Sequence, residues 1–273
     1  MQPGQAAATS VAVLGAAGRM GCAIVRVIAG NAALKLTAAV EHAASSSLGM
    51  DAGRLAGIPD LGVAITAAPP AAGLASVWID FSSPAATPGT AAGAAASRAA
   101  LVVGTTGVTP EGKQALAETA KTVPVVFAPN TSVGVTVLLR LVAEAARLLG
   151  PDFDREIVET HHRMKRDAPS GTALRLAQAL AEATGRDLTK DARYARAGDV
   201  GPRTHAEIGI QTVRGGDVVG DHTVFFLGQG ERVEITHRAS SRDTFARGAV
   251  RAAQWTAGRP PGLYDMRDVL GVR

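Results

Sequence analysis

A chain of 273 residues is long enough for one large α/β domain or two modest ones, and its single cysteine excludes a disulfide framework and any cysteine-based zinc site. Hydrophobic residues make up 47% but aromatic ones only 4%, and 54 positions are alanine, so the core must be closely packed Ala with Val, Ile and Leu. The net charge of +4 is mild and both signs rise together along the chain (7 basic and 6 acidic residues over 1–130, 21 and 18 over 131–273), which argues against a polybasic nucleic-acid face.

Met1 to Ala8 has neither basic residues nor an apolar run and is not expected to be a signal peptide. No stretch reaches the ~18 uninterrupted apolar residues of a membrane helix. The longest candidate, Val133 to Leu149, is broken by Arg140, Glu144 and Arg147. A soluble, cytoplasmic protein with no membrane or nucleic-acid partner is the expectation.

The first half alternates short apolar runs with helical patterns. Ser10 to Leu14 reads as a buried strand, Gly18 to Ala29 as a helix and Leu34 to Glu41 as the next strand. Ser76 to Asp80, Leu101 to Val103 and Val123 to Phe127 are three further strands. Ser83-Pro84 and Thr109-Pro110 each pair a polar cap with a proline at the first helical position. Such spacing predicts a parallel sheet with crossover helices.

Beyond Asn130 the pattern changes. A helix over Val133 to Leu149 leads to a strand, Arg155 to Thr160, and Ser170 caps a helix over Gly171 to Ala183. Thr184 to Pro202 reads as a long polar connection. Ala206 to Val213, Val218 to Leu227 and Arg232 to His237 follow, separated by glycine turns, and predict an antiparallel meander. A last helix spans Thr244 to Thr256. The expected architecture is α/β: a Rossmann-like parallel-sheet domain (1–130 plus 241–273) with an inserted α+β domain (131–240) whose sheet is mainly antiparallel. Hinges are expected near Asn130 and Ser240.

Gly15-Ala16-Ala17-Gly18-Arg19-Met20-Gly21 directly follows the first strand and opens a helix. A pyrophosphate needs backbone N–H groups at close approach and the positive end of a helix, which small residues permit. Ala17 stands where the usual second glycine would be. Glu41 ends the second strand 20 residues beyond Gly21, where an acid accepts hydrogen bonds from ribose hydroxyls. It is followed by His42, which leaves the choice between NADH and NADPH open. Gly104-Thr105-Thr106-Gly107 and Ala128-Pro129-Asn130-Thr131 lie at the carboxyl ends of two more strands, the edge where open α/β sheets hold ligands.

The densest chemistry is His161-His162-Arg163-Met164-Lys165-Arg166-Asp167-Ala168-Pro169-Ser170-Gly171-Thr172-Ala173, entered by a strand and left by a helix. Adjacent strand residues point to opposite faces, so His161 and His162 are not expected to share one role. One histidine suits a general acid, and Lys165 an anion-binding or proton-donating ammonium. The Gly171 and Thr172 amides behind the Ser170 cap make a carboxylate site. No metal is expected, since adjacent histidines are not the i, i+4 helical pair. His205, His222 and His237 read as satisfied structural histidines, and Ser240-Ser241-Arg242 as a cap for the last helix or an anion contact through Arg242.

The run HHRMKRDAPSGTA from His161 to Ala173 resembles the signature of the dihydrodipicolinate reductase family. The resemblance extends from Gly18-Arg19-Met20-Gly21 through Gly104, Gly220-Asp221-His222-Thr223 and Ser240-Ser241-Arg242 to Tyr264-Asp265-Met266-Arg267-Asp268-Val269-Leu270. It implies NADPH or NADH held by Gly15, Ala16, Ala17, Gly18, Arg19, Met20, Glu41, His42, Gly104, Thr105, Thr106, Ala128, Pro129, Asn130 and Thr131. It implies His161 as acid/base, Lys165 as proton donor, and His162, Gly171 and Thr172 on the carboxylates of a dicarboxylate substrate. It further implies reduction of 4-hydroxy-tetrahydrodipicolinate on the diaminopimelate route to lysine by a homotetramer. Two departures from the family pattern are His42, where an arginine often follows the acid, and Thr131, where some relatives carry an aromatic or another residue. The competing readings are another NAD(P)-dependent dehydrogenase of small dicarboxylates and a non-catalytic nucleotide sensor.

Overall fold

A computed structural model of the chain describes residues 8–272 and divides it into two compact units, Met1–Val133 with Arg242–Gly271, and Gly134–Ser241. The signal-peptide reading therefore falls, apart from Ala8, outside the described residues. In the first unit the chain runs β1 (Thr9–Leu14), α1 (Arg19–Ala29), β2 (Leu34–Val40), a short α2 (Ala52–Leu55) and β3 (Ile65–Thr66). It continues through β4 (Val77–Asp80), α3 (Thr87–Ala96), β5 (Ala100–Val103), α4 (Pro110–Thr119) and β6 (Pro124–Phe127). The second unit holds α5 (Val133–Leu149), β7 (Asp154–His161), α6 (Gly171–Thr184), α7 (Leu188–Asp191), β8 (Ala192–Arg193), β9 (Ile208–Arg214), β10 (Gly220–Leu227) and β11 (Arg232–Ala239). The chain then returns to the first unit as α8 (Asp243–Thr256), β12 (Gly262–Tyr264) and α9 (Met266–Leu270).

The first sheet is parallel throughout, in the order β12-β6-β5-β4-β1-β2-β3. Its strands are apolar on both faces because helices cover both. The two-residue period sorts them. Val11, Val13, Val77, Ile79 and Val102 join one core with Ile24 and Ile28 of α1 and Ala249, Ala252 and Ala253 of α8. Ala12, Leu14, Trp78, Leu101 and Val103 join the other with Ala91 and Ala94 of α3 and Leu116 of α4. Small residues let these helices lie close: a Cβ at Gly248 of α8 would fall 1.7 Å from the Thr131 carbonyl oxygen. Strand order reverses at β1, whose neighbours are β2 and β4, so a crevice opens at the carboxyl ends of β1 and β4.

The second sheet has the order β11-β10-β7-β9-β8. Here the meander expectation fails. Only β10 and β11 form the expected hairpin; β7 lies between β9 and β10, parallel to the former and antiparallel to the latter. The Gly215-Gly216 segment is therefore not a hairpin turn. It crosses the end of β7, where Gly215 N–H donates to the His161 carbonyl, and His162 and Arg163 N–H donate to Val218 and Gly216. The physical reason is burial. β7 alternates half-buried and buried residues, and its inward Ile157 joins Ile208, Ile210, Val224 and Phe226 under α5 and α6, so it takes the centre. The Thr184–Pro202 connection contains α7 and β8 and is pinned by Arg196, which forks onto Glu156 at 2.9 Å. No helix among the described residues is long and apolar enough to cross a membrane.

Candidate active site

The first unit gathers every glycine-loop and strand-end residue singled out above at one sheet edge. Gly15 has φ +76°, and a Cβ there would lie 2.6 Å from the Phe81 carbonyl oxygen. A Cβ at Gly21 would lie 2.1 Å from the Gly15 carbonyl oxygen. The loop is thus held against both β4 and α1 with no room for a side chain. Gly18 caps α1 without a side-chain hydrogen bond, and no acidic residue stands in the first turn, leaving that helix end electropositive. Glu41 is tied to the loop: its Oε2 accepts from Ala17 N–H at 3.0 Å, and its Oε1 from His42 N–H at 3.0 Å. Arg19 and His42 are exposed, Met20 half-buried.

A pocket of about 520 Å³ opens at this crevice, lined by Gly15, Gly18, Glu41, His42, Phe81 and Ser82. Its volume and its mixed lining of glycine, acid and hydroxyl suit part of a dinucleotide. The Gly104 amide donates to the Asp80 carbonyl, and the Phe81 ring lies where a Cβ at Gly104 would be. Thr105 is buried and Thr106 exposed. Ala128 N–H donates to Val103, Asn130 Oδ1 accepts from Ser132 N–H at 2.9 Å, and Pro129 is exposed. Thr131 is 1% exposed and gives its hydroxyl to the Phe245 carbonyl at 2.7 Å, so its side chain faces α8.

Sequence reasoning passed over Asp80. It ends β4 fully buried, and accepts from Ser82 N–H at 3.0 Å, Ser82 Oγ at 2.5 Å and Thr105 Oγ1 at 3.2 Å. Burial pushes its carboxyl up against those three donors. An acid closing an otherwise apolar strand was the available signal.

In the second unit, His161 ends β7 with 8% exposure and meets Glu159 through Nδ1 to Oε2 at 2.5 Å. Glu159 is fully buried and takes a fork from Arg214, Nη1 to Oε2 at 2.7 Å and Nη2 to Oε1 at 2.9 Å. Its Oε1 also accepts from Ser170 N–H at 3.0 Å and Thr212 Oγ1 at 3.2 Å. Burial would raise this carboxyl, yet Arg214, His161 and the Ser170 amide overcome it and hold it at about 2. His161 is pulled below its ordinary value, by burial first and by Lys165 and Arg214 next, with Glu159 opposing.

Ser170 caps α6 by accepting from Ala173 N–H at 3.1 Å, and its hydroxyl meets His222 Nε2 at 3.0 Å. His222 packs edge-on to His161, with ring centroids 5.1 Å apart. The expectation of a satisfied structural histidine fails for His222 and for His237: Nδ1 of each is buried without a partner among the described residues. Burial next to His161 lowers His222 to about 4, so its ring is neutral at physiological pH. Lys165 pairs with Asp167 at 3.0 Å, His162 is half-buried, and Gly171 and Thr172 open α6 beside the Ser170 cap. The N-cap of α8 is Arg242, not a serine.

Glu159 and Arg214 were also missed. Glu159 stands two residues before His161 on one strand, hence on its face, a signal that was readable. Arg214 carried none, because it reaches Glu159 only through the unexpected β7–β9 pairing.

A parallel sheet with a glycine loop, a strand-end acid and a carboxyl-end crevice that suits part of a dinucleotide is the framework of an NAD(P)H-dependent oxidoreductase, the class to which this chain belongs. Comparison with known proteins gives the particular lineage. Residues 9–131 match the family model described as dihydrodipicolinate reductase, N-terminus, and residues 134–270 the one described as dihydrodipicolinate reductase, C-terminus. The chain is 57% identical over 267 residues to the 4-hydroxy-tetrahydrodipicolinate reductase of Anaeromyxobacter dehalogenans (strain 2CP-1 / ATCC BAA-258), covering 97% of this chain and 98% of that one. It is 52% identical to the enzyme of the same name from Myxococcus xanthus (strain DK1622), covering 96% and 97%. A solved dipicolinate-bound dihydrodipicolinate reductase from Paenisporosarcina sp. TG-14 shares the fold at a TM-score of 0.76 and 24% identity, over 94% of this chain and 97% of that one. The chain belongs to the dihydrodipicolinate reductase family, whose reaction is the NAD(P)H-dependent reduction step of diaminopimelate and lysine biosynthesis.

Proposed function

We propose that this chain reduces 4-hydroxy-tetrahydrodipicolinate to tetrahydrodipicolinate with NADH or NADPH, as a cytoplasmic homotetramer. The observation that carries the substrate half is one continuous segment, β7 through α6. It joins a buried histidine, hydrogen-bonded to a buried carboxylate, to a helix that begins at Gly171-Thr172 and whose Ser170 cap is held by the same carboxylate. The Gly15–Met20 loop, Glu41 with His42, Gly104–Thr106 and Ala128–Thr131 would hold the cofactor, which when bound supplies the hydride. The ring loses water and gains that hydride and one proton. Negative charge developing on the conjugated ring must be met by an acid, and Lys165 delivers the proton while His161 serves as acid/base partner. Two carboxylates need two cationic or amide holders. The α6 N-terminus with Gly171 and Thr172 takes one, and His162 with the basic loop takes the other.

The tetramer reading is supported by the face of the second sheet opposite α5 and α6. There Val213 is 45% and Leu227 36% exposed, and Val158 and Phe225 are only half-buried. Light scattering on the purified chain tests it, and a monomer refutes it. The activity test follows NADH or NADPH oxidation by absorbance, with the substrate generated from pyruvate and aspartate semialdehyde by the preceding synthase. Synthase-dependent turnover is expected, and it ranks the two cofactors. Cofactor binding without turnover transfers the assignment to another small dicarboxylate or to a sensor. Dipicolinate should compete with substrate, and competition should weaken when Thr172 is replaced by valine.

A further inference from the structure

Glu159 is closed off from solvent. It is fully buried, and its two oxygens together face five donors: His161 Nδ1, both Arg214 terminal nitrogens, Ser170 N–H and Thr212 Oγ1. An ionised carboxylate only accepts, so the proton between it and His161 resides on Nδ1. That leaves Nε2 as the reaction-facing nitrogen. Nε2 in turn lies over Gly220, where a Cβ would come within 2.9 Å of it. The same rigid carboxylate grips the Ser170 amide with its other oxygen, at the residue that opens α6. Arg214 further holds the loop between them by donating to the Asp167 carbonyl at 2.7 Å.

We infer that Glu159, locked by Arg214, is a positioning residue: it fixes the Nδ1–H tautomer of His161 and sets the spacing between His161 Nε2 and the helix end that takes the substrate carboxylate. The inference rests on the acid/base reading of His161. Strands alone could not supply this, because a histidine on β7 is free to turn about its side-chain bonds and to exchange tautomers. The groups facing His161 are Glu159 on its own strand, Arg214 from β9, Lys165 from the following loop, and the His222 ring from β10. Of these only Glu159 favours the imidazolium. Removing its charge must therefore lower the pH at which His161 protonates.

The test begins on the unaltered chain, with ¹⁵N-histidine NMR in the absence of ligands and the His161 signals assigned by their loss in His161→Gln. Neutral His161 is expected with its proton on Nδ1. A ring protonated on Nε2, or averaging between tautomers, overturns the inference without any variant having to fold. Glu159→Gln, which keeps shape but not charge, should then lower the His161 titration by about one pH unit and move the matching limb of the kcat profile with it. At pH 7 that is roughly a tenfold loss of kcat, with the KM for substrate changed less than about threefold. An unchanged His161 titration in Glu159→Gln overturns the inference. A shifted titration with an unmoved kcat profile upholds the positioning role and removes His161 from acid/base duty, which separates the two failures.

Discussion

Replacing Gly21 and Gly18 by alanine separates what the glycine loop does for the fold from what it does for the cofactor. At Gly21 the new Cβ would sit 2.1 Å from the Gly15 carbonyl oxygen and 2.6 Å from Ala16 Cα, both backbone atoms. The loop must retreat by more than about 1 Å to restore ordinary contact. Overpacking against backbone atoms, which cannot swing aside, falls in the upper part of the range for such changes, about 2–3 kcal/mol, against which alanine returns about 1 kcal/mol of helix propensity. The net loss is of order 1–2 kcal/mol, or roughly 2–8 °C in Tm for a chain of this size. Gly18 is different. Its φ of −71° and ψ of 163° suit alanine, and the nearest atom to a Cβ is the Gly15 oxygen at 3.2 Å. Gly18→Ala should cost below about 1 kcal/mol as a cap change. Yet it places a methyl where a phosphate must meet the first amides of α1, and affinity should fall at least about tenfold, about 1.4 kcal/mol. Thermal unfolding without ligand and NADH fluorescence titration read the two quantities. Wild-type affinity in Gly18→Ala refutes the loop's cofactor role, and a wild-type Tm in Gly21→Ala refutes the packing argument.

Lys165→Ala should lower kcat by about 10²- to 10⁴-fold while KM moves only a few-fold, and unchanged turnover in the coupled assay would sink its proton role. His222 is neutral in the fold down to about pH 4 but titrates near 6.5 when unfolded, so it contributes stability that is full above about pH 6.5 and lost as pH falls toward 4. Between pH 7 and 5 the loss is of order 2 kcal/mol; His222→Asn should flatten that part of the Tm profile, and an equally steep profile refutes the assignment. Glu159, held at about 2, acts in a lower window, its contribution present above about 4.5 and lost toward pH 2. Asp80→Ala strands the Ser82 amide and hydroxyl and the Thr105 hydroxyl, costing about 2–3 kcal/mol and weakening cofactor binding, whereas Asp80→Asn should stay within about 1 kcal/mol; equal behaviour of the two variants counts against Asp80 as an organiser of these loops. His42→Arg adds a guanidinium beside the ribose-binding acid and should raise kcat/KM for NADPH over NADH several-fold, and an unmoved ratio places His42 away from that end of the cofactor.

The main strand-helix rhythm of residues 9–127 was legible in the sequence because its signals are local: short apolar runs, a polar or proline cap, a glycine where only glycine fits. So was the order of strand, loop and Ser170-capped helix over His161 to Thr172, which follow one another without interruption. The short strands β3, β8 and β12 were not legible, being two or three residues whose pairing depends on other strands, and the five-residue α9 was too short for a helical period to show. Nor was the order of the second sheet. The glycines at 215 and 216 satisfied the local rule for a hairpin equally well, and only burial of β7 beneath α5 and α6 made them a crossing instead. That choice decides the surroundings of His161, because it brings Arg214 to Glu159, the carboxylate that meets His161 Nδ1. Sequence determined which reactive groups the protein carries, since residue type and local spacing are properties of the chain. Tertiary structure decided which of them are buried and with which partners, because burial and cross-strand partners exist only once β7, β9 and β10 are side by side.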